Sequence, residues 1–598
     1  MVEPRSATNN EDKWNVEDLF TNYENWQKIF NELIAEKPWS QLSQFQGKLN
    51  DASSLLKAIE LFFSINRRIE KLYTYAHLRH DEDITEEEAK NCYERIVGTY
   101  HEFKELSSWL EPEILNLPKD VMQNHLQSTE LKDYKFFLER LFFLKDHTLS
   151  PNEEKLIAQA GLSLDTAHKA FSSLTNADFK FPSVKDSNGK DHELTPGLLR
   201  LYLRSRDRTL RQNSFVQFHK QYTQYENTIS DLLQGQIQTH LFYAKSHNYE
   251  SCLQAALKTN NIPTQVYHSL IKAVHDNIGS LHKYISLRKK LLGYDHLYHW
   301  DMFVPLTKEL EIKMEYAEAE KAVIESVAPL GKDYQEILKK GMLTDRWVDR
   351  YENKNKRQGA YSSGCFDSHP YILMNYRGLL NDAFTLAHEA GHSMHSYLSH
   401  TSQPYQYSSY PIFVAEVAST FNEELLSRAL MKKIQSKEER ICLLTEKIQD
   451  IYGTLFRQTL FAEFELMIHQ HVENKIPLTP TLLKEEFAKL NQFYFGPDFT
   501  IDPEVSIEWA RVPHFYYNFY VYQYATGISA ALALVDIVVD GSEQAKQSYL
   551  NFLKGGSSKY PIDLLKMAGV DMESPEPVAI AIKRFDQLVE ELSSLINS

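Results

Sequence analysis

The chain has 598 residues, 42% hydrophobic and 24% charged, which fits a globular protein large enough to hold several subdomains. Acidic residues outnumber basic ones 81 to 65, giving a net charge of −16. Nucleic acid and anionic membranes are met through basic patches, so neither is expected as a partner.

Only 21 glycines and 21 prolines punctuate this length, which predicts long helices rather than many short strands. The N-terminal run M-V-E-P-R-S-A-T-N-N lacks the apolar core of a signal peptide, and no uninterrupted run of eighteen apolar residues occurs. Cys92, Cys252, Cys365 and Cys442 are far apart and form no C-x-x-C pair, a pattern expected of thiols in a reducing cytoplasm.

From Trp14 to about Thr175 apolar residues recur at spacings of three and four, as in L-L-K-A-I-E-L-F-F-S-I, Leu55 to Ile65. Asn188-Gly189 then carries a type I′ turn signal, flanked by Phe179, Phe181, Val184 and Leu194 as a small hairpin. The expected boundary follows it, with an N-terminal helical lobe over residues 1–193 and a catalytic domain over 194–598. Helical patterns resume at Pro196 and run to about Lys340. A non-helical patch comes next, G-A-Y-S-S-G-C-F-D-S-H-P-Y-I-L-M-N-Y, and its second half, Tyr371 to Tyr376, reads as a strand.

That strand leads into T-L-A-H-E-A-G-H-S-M-H, on a helix that Asn381 or Asp382 can cap. His388 and His392 are four residues apart, so their side chains share one helix face. H-E-x-x-H is the zincin pattern, in which two imidazoles bind zinc and the glutamate between them, here Glu389, reaches the metal-bound water.

A catalytic zinc needs a third protein ligand and an open position. The next helical run, P-I-F-V-A-E-V-A-S-T-F-N-E-E-L-L, places Glu416 and Glu423 on one face, seven residues apart. One glutamate then ligates zinc while the other accepts the free N–H of a ligand histidine. His395 is the rival third ligand, but three ligands from one unbroken helix fan outward along its axis, so Glu416 is favoured. Further on, Pro513 can open a helix at His514, with Tyr517, Tyr520 and Tyr524 on one side. Taken alone, those rings read as an aromatic core stripe.

H-E-A-G-H-S-M-H followed by F-V-A-E-V-A-S-T-F-N-E resembles the oligoendopeptidase F group of the thimet oligopeptidase family of zinc metallopeptidases. G-A-Y-S-S-G, P-Y-I-L-M-N-Y, V-P-H-F-Y-Y-N-F-Y-V-Y-Q-Y-A-T-G, F-L-K-G-G-S-S-K-Y-P and A-G-V-D extend the resemblance from about Leu194 to the C-terminus. It implies a mostly α-helical, two-lobed body with a deep substrate channel and a small β-sheet beside the zinc. The strand Tyr371 to Tyr376 would add an extended peptide to its edge. It further implies one Zn2+ per chain and short peptides as substrates. His514 with Tyr517 or Tyr524 would stabilise the oxyanion, and Tyr520 and His395 would stand in supporting positions. The expected activity is hydrolysis of internal bonds in short unstructured oligopeptides by zinc-bound water that Glu389 activates. A metallocarboxypeptidase of related helical fold and a non-catalytic peptide-binding protein are the alternatives.

Overall fold

The computed structural model describes residues 3–306 and 312–597. It is mostly helical, as expected, and its strands form two small sheets. One is the hairpin β1 (Val184–Lys185) and β2 (Asp191–His192); the other is built from β3 (Val348–Asp349), β4 (Tyr361–Ser363) and β5 (Tyr371–Leu373).

The hairpin stands where the Asn188-Gly189 signal placed it, with Val184 opposite His192, but its turn differs. Gly189 is left-handed at φ +79°, whereas Asn188 is not among the residues of positive φ, so the two-residue type I′ geometry is not formed. Instead the Asp186 carboxylate accepts from the backbone N–H of Asn188 (2.9 Å) and of Lys190 (3.0 Å), which fixes a longer loop.

The chain divides into two compact units, each assembled from three stretches. The first comprises Met1–Ser150, Glu311–Lys432 and Leu534–Val570; the second comprises Pro151–Leu310, Lys433–Ala533 and Asp571–Ser598. Residues 193 and 194 both fall inside the second unit.

In the first unit β5 is the central strand, parallel to β3 and antiparallel to β4. Side chains of a strand alternate between faces. Tyr371 and Leu373 accordingly join a core with Trp14, Trp26, Trp39, Ile65, Leu72 and Tyr75, brought by the N-terminal segment and the helix Ala52–Glu82. Asp349 of β3 is wholly buried and is compensated by Arg5 (Nη1–Oδ1 2.7 Å) and Lys356 (Nζ–Oδ1 2.6 Å). These two cations hold its carboxyl below the usual range against the burial that would raise it. Helix α1 (Leu380–Ser402) packs on β4 and β5, and α2 (Ile412–Lys433) follows it in the chain.

In the second unit the helices Glu226–Ser246 and Arg457–Glu473 pack together, and a three-residue-per-turn helix over Pro513–Tyr516 lies against the first of them. One helix, Tyr522–Val539, is long and apolar enough to cross a membrane by length and composition, yet 72% of it is buried in the protein. Thr526, Ser529 and Asp536 interrupt it, so the sequence has no continuous apolar run there.

Candidate active site

Helix α1 starts where Asp382 folds back, its carboxylate accepting from the backbone N–H of Arg377 (2.8 Å) and Leu379 (3.0 Å). Asp382, the third residue of the helix, thus reaches back to the N-cap Leu379 and to Arg377 just before it. One turn brings His388 over His392, with ring centroids 4.8 Å apart.

What sets α2 against this face is Gly391. A Cβ there would lie 2.5 Å from the Ala418 carbonyl oxygen and 2.6 Å from the Ser419 Cα, so the two backbones approach as only glycine permits. The approach brings Glu416 and Glu423 up to the histidines. His388 Nε2, His392 Nε2 and Glu416 Oε2 form a triangle with sides of 3.2, 3.3 and 3.5 Å. The edges of a tetrahedron around an ion bonded at about 2.0–2.1 Å measure about 3.3–3.4 Å. The three donors therefore have the spacing of three corners of such a site, and they form the metal-competent group found among the described residues.

Glu423 accepts from His388 Nδ1 at 2.5 Å, which fixes the tautomer and leaves Nε2 to face His392 and Glu416. Ser419 Oγ donates to Glu416 Oε2 (3.0 Å) and steadies that carboxylate. Burial alone would depress the His388 imidazole, but its bonds to Glu416 and Glu423 push it up to about 10. Burial would likewise raise Glu416, while His388 and His392 hold it far below the usual carboxylate range. The His388 imidazole and the Glu416 carboxylate thus each favour the other's charged form where the donors converge.

Glu389 is 7% exposed. Burial raises its pKa, opposed by His388, His392 and a hydrogen bond from the Ser362 backbone on β4. Ser362 and Ser393 also share a hydroxyl contact of 2.8 Å, which seats β4 on α1. The sheet consequently meets the site through β4, not through Tyr371–Tyr376. β5 is paired on both sides and its three residues are wholly buried, so it has no edge to offer a peptide. β4, like β3, is an edge strand. The Y-S-S run between Gly359 and Gly364 is too short and too rich in serine to read as a strand from sequence.

His395 is held elsewhere, stacked on Tyr410 (centroids 3.7 Å, planes 4° apart) and beside Phe552. Burial, with His392 and His400 adding to it, pushes its pKa down to about 3.

In the second unit, no continuous helix runs from His514 to Tyr524. The Pro513–Tyr516 turn ends at Asn518 and Phe519, which are left-handed at φ 47° and 60°. Glu465 accepts from the Phe519 N–H at 2.7 Å and pins that break. The rings still gather around His514: Tyr517 at 5.7 Å and Tyr520 and Tyr524 at 5.9 Å between centroids, with Tyr520 stacked on it. Burial lowers the His514 pKa, which favours the neutral imidazole. Behind the loop His469 lies tilted against Phe519 (centroids 4.3 Å) and meets His240 at 3.1 Å, and Gln236 bonds His240 at 3.0 Å. Sequence spacing carried no sign of this buried support.

The chain matches Peptidase family M3 over residues 201–584 and Oligopeptidase F over residues 113–181. It is 43% identical to Oligopeptidase PepF of Bacillus subtilis, over 99% of this chain and 88% of that one. It is 38% identical to the group B oligopeptidase PepB of Streptococcus agalactiae, over 100% and 99%. The crystal structure of oligoendopeptidase-F from Enterococcus faecium superposes with a TM-score of 0.73 at 34% identity, covering 96% of this chain and 99% of that one.

Proposed function

The chain belongs to peptidase family M3 as a metallopeptidase of the oligoendopeptidase F kind, and from that premise we propose that it hydrolyses internal bonds of short unstructured peptides with one zinc ion held by His388, His392 and Glu416. The observation that carries this reading is the triangle of donors with tetrahedral edge lengths beside a buried glutamate. Two imidazoles and a carboxylate are a donor set that suits zinc. Bound there, zinc supplies Lewis acidity and lowers the pKa of water from 15.7 to about 7.

The chain's own residues do the rest. Glu423 holds the His388 N–H, so that Nε2 presents its lone pair. Glu389 takes the proton of the attacking water on its carboxylate and returns it to the nitrogen of the leaving amine. β4 binds the peptide backbone by strand addition, which passes it beside Glu389 because Ser362 touches both. The resemblance in Val512 to Gly527 supports His514 with Tyr517 or Tyr524 as donors to the oxyanion, with Tyr520 stacked behind the imidazole. A cytoplasmic location fits the four cysteines, none of which is in a disulfide.

The test is metal analysis of the purified protein combined with mass spectrometry of a digested peptide library. Internal cleavage of peptides blocked at the C-terminus, abolished by chelation and restored by zinc, is the expected outcome. Cleavage that demands a free C-terminal carboxylate would make the protein a carboxypeptidase instead.

A further inference from the structure

In the first unit a cavity of about 320 Å³ opens beside β4, lined by Ser362, Ser363, Ser396, His400, Tyr410 and, from the helix Ala52–Glu82, Glu70. Its position follows from the way β4 lies on α1. Ser362 meets Glu389 and Ser393 and lines the near part of the cavity, which continues along Ser363, Ser396 and His400, so strand and helix lead away from Glu389 in the same direction. Ser396 and His400 stand one and two turns past His392, about 6 and 12 Å along the axis. A peptide on the β4 edge advances about 3.3 Å per residue, so the cavity lies two to four residues from the bond being cut.

The chemistry of the lining is one-sided. It is rich in hydroxyls, Glu70 is its carboxylate, and its basic side chains are the imidazoles of His369 and His400, with no lysine or arginine among the described residues that line it. Arg67, on the same helix, is engaged by Asp367 through two bonds of 2.5 and 2.7 Å, so its charge is already matched. Burial and the Asp367 charge raise the Glu70 pKa, with a Tyr405 hydrogen bond and the more distant Arg67 opposing them. A carboxyl in that state lacks a cation, and a side chain ending in one would complete it.

We propose that this cavity is a substrate side-chain subsite that selects a lysine or arginine two to four positions from the scissile bond, with Glu70 as its counter-charge. The inference rests on the peptidase reading above and adds a selectivity to it. Glu70 is a specificity residue here and takes no part in bond cleavage.

The experiment uses the zinc-loaded full chain and a series of blocked octapeptides that are identical except for Lys, Arg, Nε-acetyl-lysine, Leu or Glu placed in turn at the four positions on either side of the cut. At one position, Lys and Arg are expected to exceed Glu and acetyl-lysine in kcat/KM by about tenfold, the lower end for a charge-assisted hydrogen bond at a part-exposed carboxylate. Glu70→Gln is expected to shrink that preference to within twofold while cleaving the Leu peptide at the parent rate. Acetyl-lysine keeps the length and removes the charge, so the comparison stands even if the variant folds poorly. If the parent cuts the peptides but discriminates less than threefold at every position, or if Glu70→Gln keeps the preference, the subsite is wrong and the peptidase reading survives. If no peptide is cut, the reading and this inference fall together.

Discussion

Replacing Gly391 by alanine puts a methyl group at the point where α1 and α2 touch. The new Cβ would sit 2.5–2.8 Å from backbone atoms of Ala418 and Ser419, and ordinary contact begins at 3.4 Å, so α2 must retreat by about 0.6–0.9 Å. Glu416 lies two residues before Ala418 and moves with it. Metal–ligand distances tolerate about ±0.2 Å, so one of three donors leaves its bonding range. We expect metal affinity to fall about 10–100-fold, as when a supporting contact to a ligand is lost, and kcat/KM at subsaturating metal to fall with it. Stability should change little. Overpacking costs about 1–3 kcal/mol, and exchanging a mid-helix glycine for alanine returns about 1 kcal/mol. Competition with a chromophoric chelator reads the affinity, and a circular dichroism melt reads the fold. A variant that binds metal within threefold of the parent would refute the reasoning, because the helix approach would then not set the ligand geometry.

Glu389→Gln should retain stoichiometric metal while turnover drops by about 10²–10⁴, since an amide cannot accept the water's proton; turnover within tenfold of the parent would remove Glu389 from that role. Glu423→Gln should weaken metal about 10–100-fold while Glu389 stays competent at saturating zinc, which titration of apo-protein checks. Tyr517→Phe, Tyr524→Phe and His514→Ala should lower kcat more than they raise KM, by about 10²–10³ for a true oxyanion donor, with melting unchanged; three near-parental variants would make this loop a structural cluster only. Glu465 offers a pH test. Burial raises it to about 8 in the folded protein, so the folded state keeps a proton that the unfolded chain loses above about 4.3. Its contribution is therefore fully present below pH 4.3 and is lost as pH rises toward 8, at about 1.4 kcal/mol per unit. Glu465→Gln should flatten the fall of Tm between pH 5 and 8 relative to the parent, and parallel curves would contradict the assignment.

What could be read in advance was what local geometry determines. The i, i+4 spacing of His388 and His392 fixes a shared helix face without reference to anything distant, and the helix of Glu416 and Glu423 follows from its own period. The features that escaped depend on remote partners. β5 is central because β3 pairs with it, and β3 is hidden in sequence by the charge of Asp349, which is tolerable because Arg5, 344 residues away, and Lys356 lie against it. The left-handed break at Asn518 and Phe519 is held by Glu465, 54 residues earlier, and no pattern within Val512 to Gly527 announces it. The hairpin was placed correctly, yet its turn type was decided by the Asp186 carboxylate rather than by Asn188-Gly189.

The assembly of the first unit from three stretches also has a cost in time. During synthesis its opening stretch ends at Ser150, but its last stretch begins at Leu534. At about 5–20 residues per second, the intervening chain takes roughly 20–80 s to emerge. Until residues 349–373 emerge, a little over halfway through that interval, Trp14, Trp26 and Tyr75 wait for Tyr371 and Leu373, and Arg5 waits for Asp349. Pairings so distant in sequence make closure slow and leave apolar surface open to other nascent chains. The proposed metal ligands, His388, His392 and Glu416, leave the ribosome before the unit that must hold them is complete.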